Sequence, residues 1–116
     1  MMSTRPVTVV ETAEFQRQAS TVLSAEEVKD LITHLAYHPT AGSVMRGTGG
    51  VRKLRWAASG RGKRGGARVI YFYHNDTLPV FLFSTFAKAD RSDLSQAQRN
   101  QLKGIVSKIV KVYGGK

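Results

Sequence analysis

The chain has 116 residues, enough to close one hydrophobic core and too few for two, so it is read as a single domain spanning 1–116. It contains no cysteine, which excludes a disulfide framework, a thiolate metal site and a thiol nucleophile and fits an intracellular setting. Its 18 Lys and Arg against 8 Asp and Glu leave a net charge of +10, a surplus that suits a polyanionic partner.

The opening stretch MMSTRPVTVVETAEF lacks the basic-then-apolar pattern of a signal peptide, and no apolar run approaches a bilayer span. The expectation is a soluble, cytoplasmic protein with no membrane partner. PVTVVE is rich in β-branched residues and reads as a short first strand. Phe15, Ala19 and Val22 then recur at helical spacing and predict a brief helix. Ser24 and Glu27 have capping-box spacing, and Val28, Leu31, Ile32 and Leu35 continue a second helix until His38 and Pro39 stop it.

HPTAGSVMRGTGG reads as loop. VRKLRWA alternates, with Leu54 and Trp56 on one side and Lys53 and Arg55 on the other, which predicts a half-buried strand with a cationic face. A Gly-rich basic loop over 60–66 follows. RVIYFY and PVFLFSTF are dense in aromatic and β-branched residues and are joined through HNDTL as a hairpin. Ser95 and Gln98 can cap a last helix with an apolar stripe of Leu102, Ile105, Val106, Ile109, Val110 and Tyr113. The order β-α-α-β-β-β-α predicts an α+β fold, a mostly antiparallel sheet packed by helices on one face.

The charge is concentrated. From Arg46 to Arg68 there are eight basic residues (Arg46, Arg52, Lys53, Arg55, Arg61, Lys63, Arg64 and Arg68) and no Asp or Glu. Antiparallel pairing brings the end of one strand beside the start of the next, so the loop, Arg68 and Lys88 should share one end of the sheet, with Lys53 and Arg55 reaching toward it and His74 at the opposite turn. Gly60, Gly62, Gly65 and Gly66 free the loop backbone to approach a ligand closely, while Arg61, Lys63 and Arg64 supply charge for phosphate.

Other chemistries find little support. Gly60, Gly62 and Gly65 satisfy G-x-G-x-x-G, but the segment leads into a strand, so the helix N-terminus of a dinucleotide site is absent. No Walker sequence and no nucleophile elbow occur. His34 and His38 stand four apart without a third ligand, and no metal and no cofactor is expected. Most aromatic residues in the strands read as core; Phe86, at a strand end beside the basic cluster, is the ring expected to stack on an unpaired base.

RNA cleavage needs no metal when a 2′-hydroxyl attacks the adjacent phosphate: the protein takes one proton, gives another and stabilises a dianionic transition state. On that reading Arg68 and Arg64 clamp the scissile phosphate, Lys53 or Lys88 transfers protons, and Arg55, Arg61 and Lys63 hold flanking backbone, with Arg46, Arg52 and Arg91 as further RNA contacts.

The strand RKLRWA, the loop GRGKRGG, the strand ARVIYFY and the segment FAKADRSDLSQAQRNQL resemble the RelE/HigB-like toxins of bacterial type II toxin-antitoxin systems, particularly the HigB-like branch with its GKRGG loop. The likeness runs from about Thr40 to Leu102, more loosely before that, and GTGGVRKLR followed by GKRGG is its most specific part. It implies a RelE-like fold and an endoribonuclease that cleaves mRNA in the ribosomal A site and stops translation. It also implies a cognate antitoxin, often with a helix-turn-helix domain, through which alone operator DNA is bound. By position it assigns the family's basic pair before the loop to Lys53 and Arg55, its strand-opening Arg to Arg68, and the basic residue after the last strand to Lys88, with Arg91 nearby. Where some relatives carry a Tyr that stacks on a base or assists chemistry, this chain has Ser95 and Phe86.

Two other readings use the same residues: a non-catalytic basic nucleic-acid-binding module, and a relative serving chiefly as its antitoxin's partner and co-repressor. The first separates from the nuclease on whether message is cleaved, the second on co-purification with the neighbouring gene's product.

Overall fold

A computed structural model describes residues 5–58, 66–90 and 93–114. Strand β1 (Val9–Glu11) leads into helices α1 (Ala13–Val22) and α2 (Ala25–Tyr37), followed by β2 (Ser43–Val44), β3 (Val51–Trp56), β4 (Ala67–Phe72), β5 (Val80–Ala87) and α3 (Gln96–Ile109), which closes in a π-helical turn over Val110–Gly114. The helix starts follow their side chains. Thr12 caps α1, and full capping boxes, Ser24 with Glu27 and Ser95 with Gln98, open α2 and α3. Each reciprocal pair satisfies two amides that the first turn leaves without partners.

The strands form one sheet in the order β1-β5-β4-β3-β2. Only β1 runs parallel to its neighbour, pairing Val9 with Val80 and Glu11 with Leu82; the other pairs are antiparallel. The fold is thus α+β with a mostly antiparallel sheet, as expected. The two-residue β2 lies within the stretch read as loop, added by pairing of Ser43 with Lys53 and Val44 with Arg52.

Helices cover both faces of the sheet rather than one. Trp56, Ala67, Val69, Tyr71, Val80 and Leu82 pack with Phe15, Ala19, Leu31 and Leu35 of α1 and α2. Val51, Ile70, Phe72, Phe83 and Phe86 pack with Leu94 and Val106 on the α3 side. The reason lies in β4: all six of its residues are buried, and a strand apolar on both sides needs a layer on each. A fully buried Phe or Leu contributes about 1.5–3 kcal/mol, so each layer is worth far more than the exposed helix faces lose.

Two local devices set the geometry near β3 and β5. The turn before β3 holds Gly47, Gly49 and Gly50 at positive φ, and between them Thr48 is fully buried, donating to the Met45 carbonyl at 2.7 Å and accepting the Val51 amide at 3.0 Å. That is why this stretch reads GTGG: three left-handed positions surround one internal hydroxyl. On β5 the register slips between Ile70 and Tyr71, pairing Ile70 with Ser84 but Tyr71 with Leu82, so Phe83 is an extra residue. The bulge lets Phe81, Phe83 and Phe86 all serve the α3-side core.

Candidate phosphate-binding rim

Alternation along β3 builds the site. Lys53 pairs with Ile70 and Arg55 with Arg68, and register partners share a sheet face, so both cations lie on the α3 side. Leu54 and Trp56 take the other side, where the Trp56 indole donates to the Glu27 carbonyl at 3.1 Å. Arg55 is exposed, whereas Arg68 is only 7% exposed and donates to the Ala67 carbonyl at 3.3 Å. Its own carbonyl accepts the buried Thr85 hydroxyl at 2.9 Å, which pins the start of β4 to β5.

Two like charges directly opposite on neighbouring strands destabilise a sheet. Keeping Arg55 against a nearly buried Arg68 concentrates positive potential where an anion has most to gain. Lys88 joins them at the same end: its amide donates to the Gly66 carbonyl at 3.0 Å, just beyond the paired Ala67 and Ala87, and its side chain is exposed. His74 follows the far end of β4, stacked on Phe72. Rows of guanidinium and ammonium groups on one rim can hold a phosphodiester by charge and bidentate hydrogen bonds.

A carboxylate that sequence reasoning missed completes the cluster. Asp93, from the segment before α3, sets one oxygen, Oδ2, 3.4 Å from Lys53 Nζ and 3.0 Å from Arg99 Nη2. Its other oxygen accepts the Leu94 amide at 2.8 Å. Burial pushes this carboxyl up, but the Leu94 amide, Lys53 and Arg99 together outweigh it and hold the group below its ordinary value. Arg99 also donates to the Arg46 carbonyl at 3.1 Å, tying α3 to the turn before β3. The available signal was position alone, since Asp93 stands two residues before the Ser95 cap.

Three further candidates are placed as follows. Arg52 pairs with Tyr71 and so faces α1 and α2, away from Lys53 and Arg55. Its Nη1 donates to the Gly42 carbonyl at 2.7 Å and the Thr40 carbonyl at 3.3 Å, while its Nε is buried without an acceptor among the described residues. It is a brace for the loop before β2, because strand alternation sends every second residue of VRKLRW to the opposite face. Phe86 is 6% exposed and packs in the α3-side core, where its ring is a wall of that layer rather than an open platform. Arg46 has an exposed side chain and contributes its carbonyl. Arg61, Lys63, Arg64 and Arg91 lie outside the described residues.

The His34 and His38 rings lie 5.1 Å apart in a tilted arrangement, with Trp56 5.2 Å from His34, on the α2 side. Among the described residues no group of three or more His, Asp or Glu side chains is arranged to hold a metal ion, and no helix is long and apolar enough to cross a membrane.

A family model described as the RelE toxin of the RelE / RelB toxin-antitoxin system matches residues 7–115, a span that includes every element of the sheet and all three helices.

Proposed function

Because this chain belongs to the RelE toxin family it is the toxin of a toxin-antitoxin pair with a cognate antitoxin, and from that premise we propose that it is a metal-independent endoribonuclease of the HigB-like branch, cutting mRNA in the ribosomal A site. The observation that carries the reading is the Arg55–Arg68 cross-strand pair with Lys53 on the same face.

In the proposed step the ribose 2′-oxygen bonds to the neighbouring phosphorus and the bond to the 5′-oxygen breaks, leaving a 2′,3′-cyclic phosphate and a 5′-hydroxyl. One proton leaves the 2′-hydroxyl and one reaches the departing oxygen; Lys53 and Lys88 are the groups proposed to move them. Arg68, with Arg55 beside it, stabilises charge that grows on the phosphoryl oxygens, and its burial keeps that charge poorly screened by water. Arg61, Lys63, Arg64 and Arg91 are proposed as contacts to phosphate and flanking backbone. The antitoxin is proposed to carry a helix-turn-helix domain and to bind operator DNA, with the toxin reaching DNA only through it. A cytoplasmic location follows from a ribosomal target.

The test is cleavage of a defined mRNA on purified ribosomes, with cut sites mapped by primer extension. Arg68→Gln, checked for native circular dichroism, should lower the single-turnover rate by about 10²-fold, the scale of losing one transition-state donor. Wild-type protein that binds programmed ribosomes yet cuts nothing would reduce the chain to a binding module, and intact cleavage by Arg68→Gln would remove the centre of the mechanism.

A further inference from the structure

We propose that Asp93 is a positioning residue for Lys53, fixing the direction of its ammonium at the rim and accepting a loss of RNA affinity in exchange for rate. This rests on the reading of the rim as an RNA-cleaving site.

The geometry argues for a built arrangement. Three donors fix the carboxylate: Lys53 from β3, Arg99 from α3 and the amide of Leu94, whose side chain is buried in the α3-side core. Arg99 is itself held by the Arg46 carbonyl, so the carboxylate is referenced to two separate elements. Lys53 is the mobile member: a lysine stem has many rotamers, and Arg55 two residues along the same face repels its head group. Left alone, the ammonium gains by turning toward water; Asp93 opposes that.

The charge argues the same way. A surface that grips polyanions is weakened by any carboxylate on it, and none occurs between Arg46 and Arg68. Asp93 is brought to this face from 40 positions beyond Lys53 in the chain. A negative charge kept where it opposes binding implies a benefit in another quantity: the same contacts tie α3 to β3, and they also hold the direction of the Lys53 ammonium.

The test separates rate from affinity on mRNA-programmed ribosomes, using a 2′-O-methyl message for binding. Asp93→Asn should lower the single-turnover rate by about tenfold or more, the scale set by misplacing a reacting group, with binding unchanged or tighter. Asp93→Glu should recover part of the rate, and Asp93→Asn added to Lys53→Ala should lower it no further. An unchanged rate, a parallel fall in rate and affinity, or an additive effect on Lys53→Ala overturns the inference. If Asp93→Asn does not fold, Arg99→Gln decides: it should slow cleavage without weakening binding, and an unaltered rate refutes the role. Failure of the wild type to cleave sinks the functional reading as well, whereas a cleaving wild type with an inactive Lys53→Ala and a fully active Asp93→Asn sinks this inference alone.

Discussion

Tyr71→Phe removes one oxygen from the middle of the sheet and tests how the flank of β3 is held. The Tyr71 ring is fully buried; its hydroxyl donates to the Pro39 carbonyl and accepts the Gly42 amide, both at 2.8 Å. The Gly42 bond is buried, so its loss leaves an amide with no water to replace the phenol, at about 1–3 kcal/mol. The Pro39 bond is only partly buried, and its loss costs about 0.5–1.5 kcal/mol. Together these give about 3 kcal/mol, a large share of the roughly 5–15 kcal/mol that holds a domain of this size. Urea denaturation at neutral pH measures it directly. The substitution also removes an alkaline weakness: burial raises the phenol above its ordinary 10.0, so its stabilisation is full below that pH and is lost as pH rises through the higher folded value. Wild type should therefore lose stability above about pH 10 faster than the Phe variant. A loss below about 1 kcal/mol, or identical alkaline profiles, would refute the account of Tyr71 as the anchor of this loop.

Two further outcomes follow from neighbouring geometry. In Gly42→Ala the new Cβ meets the Lys53 carbonyl oxygen and Tyr71 Cε1, each at 2.9 Å, and neither a paired strand backbone nor a buried ring yields easily. The variant should lose about 1–3 kcal/mol in urea titration, and a neutral result would show that the loop moves freely away from β3. Asp93 sits below its ordinary 3.8, so its contribution is complete above about pH 4 and fades as acid protonates the folded form. Denaturation midpoints of wild type and Asp93→Asn should converge as pH falls below about 4; a gap that stays constant would count against the Lys53 and Arg99 contacts in solution.

Much of this arrangement is legible locally. The capping pairs Ser24–Glu27 and Ser95–Gln98 mark two helix starts because the rule operates within four residues. Alternation in VRKLRW places Lys53 and Arg55 on one face, and the hairpin then brings Arg68 opposite Arg55. What escapes is set by distant partners. The run of buried residues in β4 signals cover on two faces, but that signal is easily read as a hairpin apolar on one. Nothing near Asp93 announces Lys53, and nothing near Arg52 announces the carbonyls of Thr40 and Gly42 that occupy it. Phe86 looks exposed at a strand end because the bulge at Phe83, which turns it into the core, depends on pairing with β4.

The parallel union of β1 with β5 also bears on when the sheet can close during synthesis. Residues 9–11 wait for residues 80–82 before the first strand has a neighbour, and the cationic cluster draws on positions from Lys53 to Arg99. The surface proposed to act on RNA therefore cannot assemble on a nascent chain until Arg99 has left the exit tunnel. Pairing of residues so far apart in the chain is a non-local contact of the kind that slows folding.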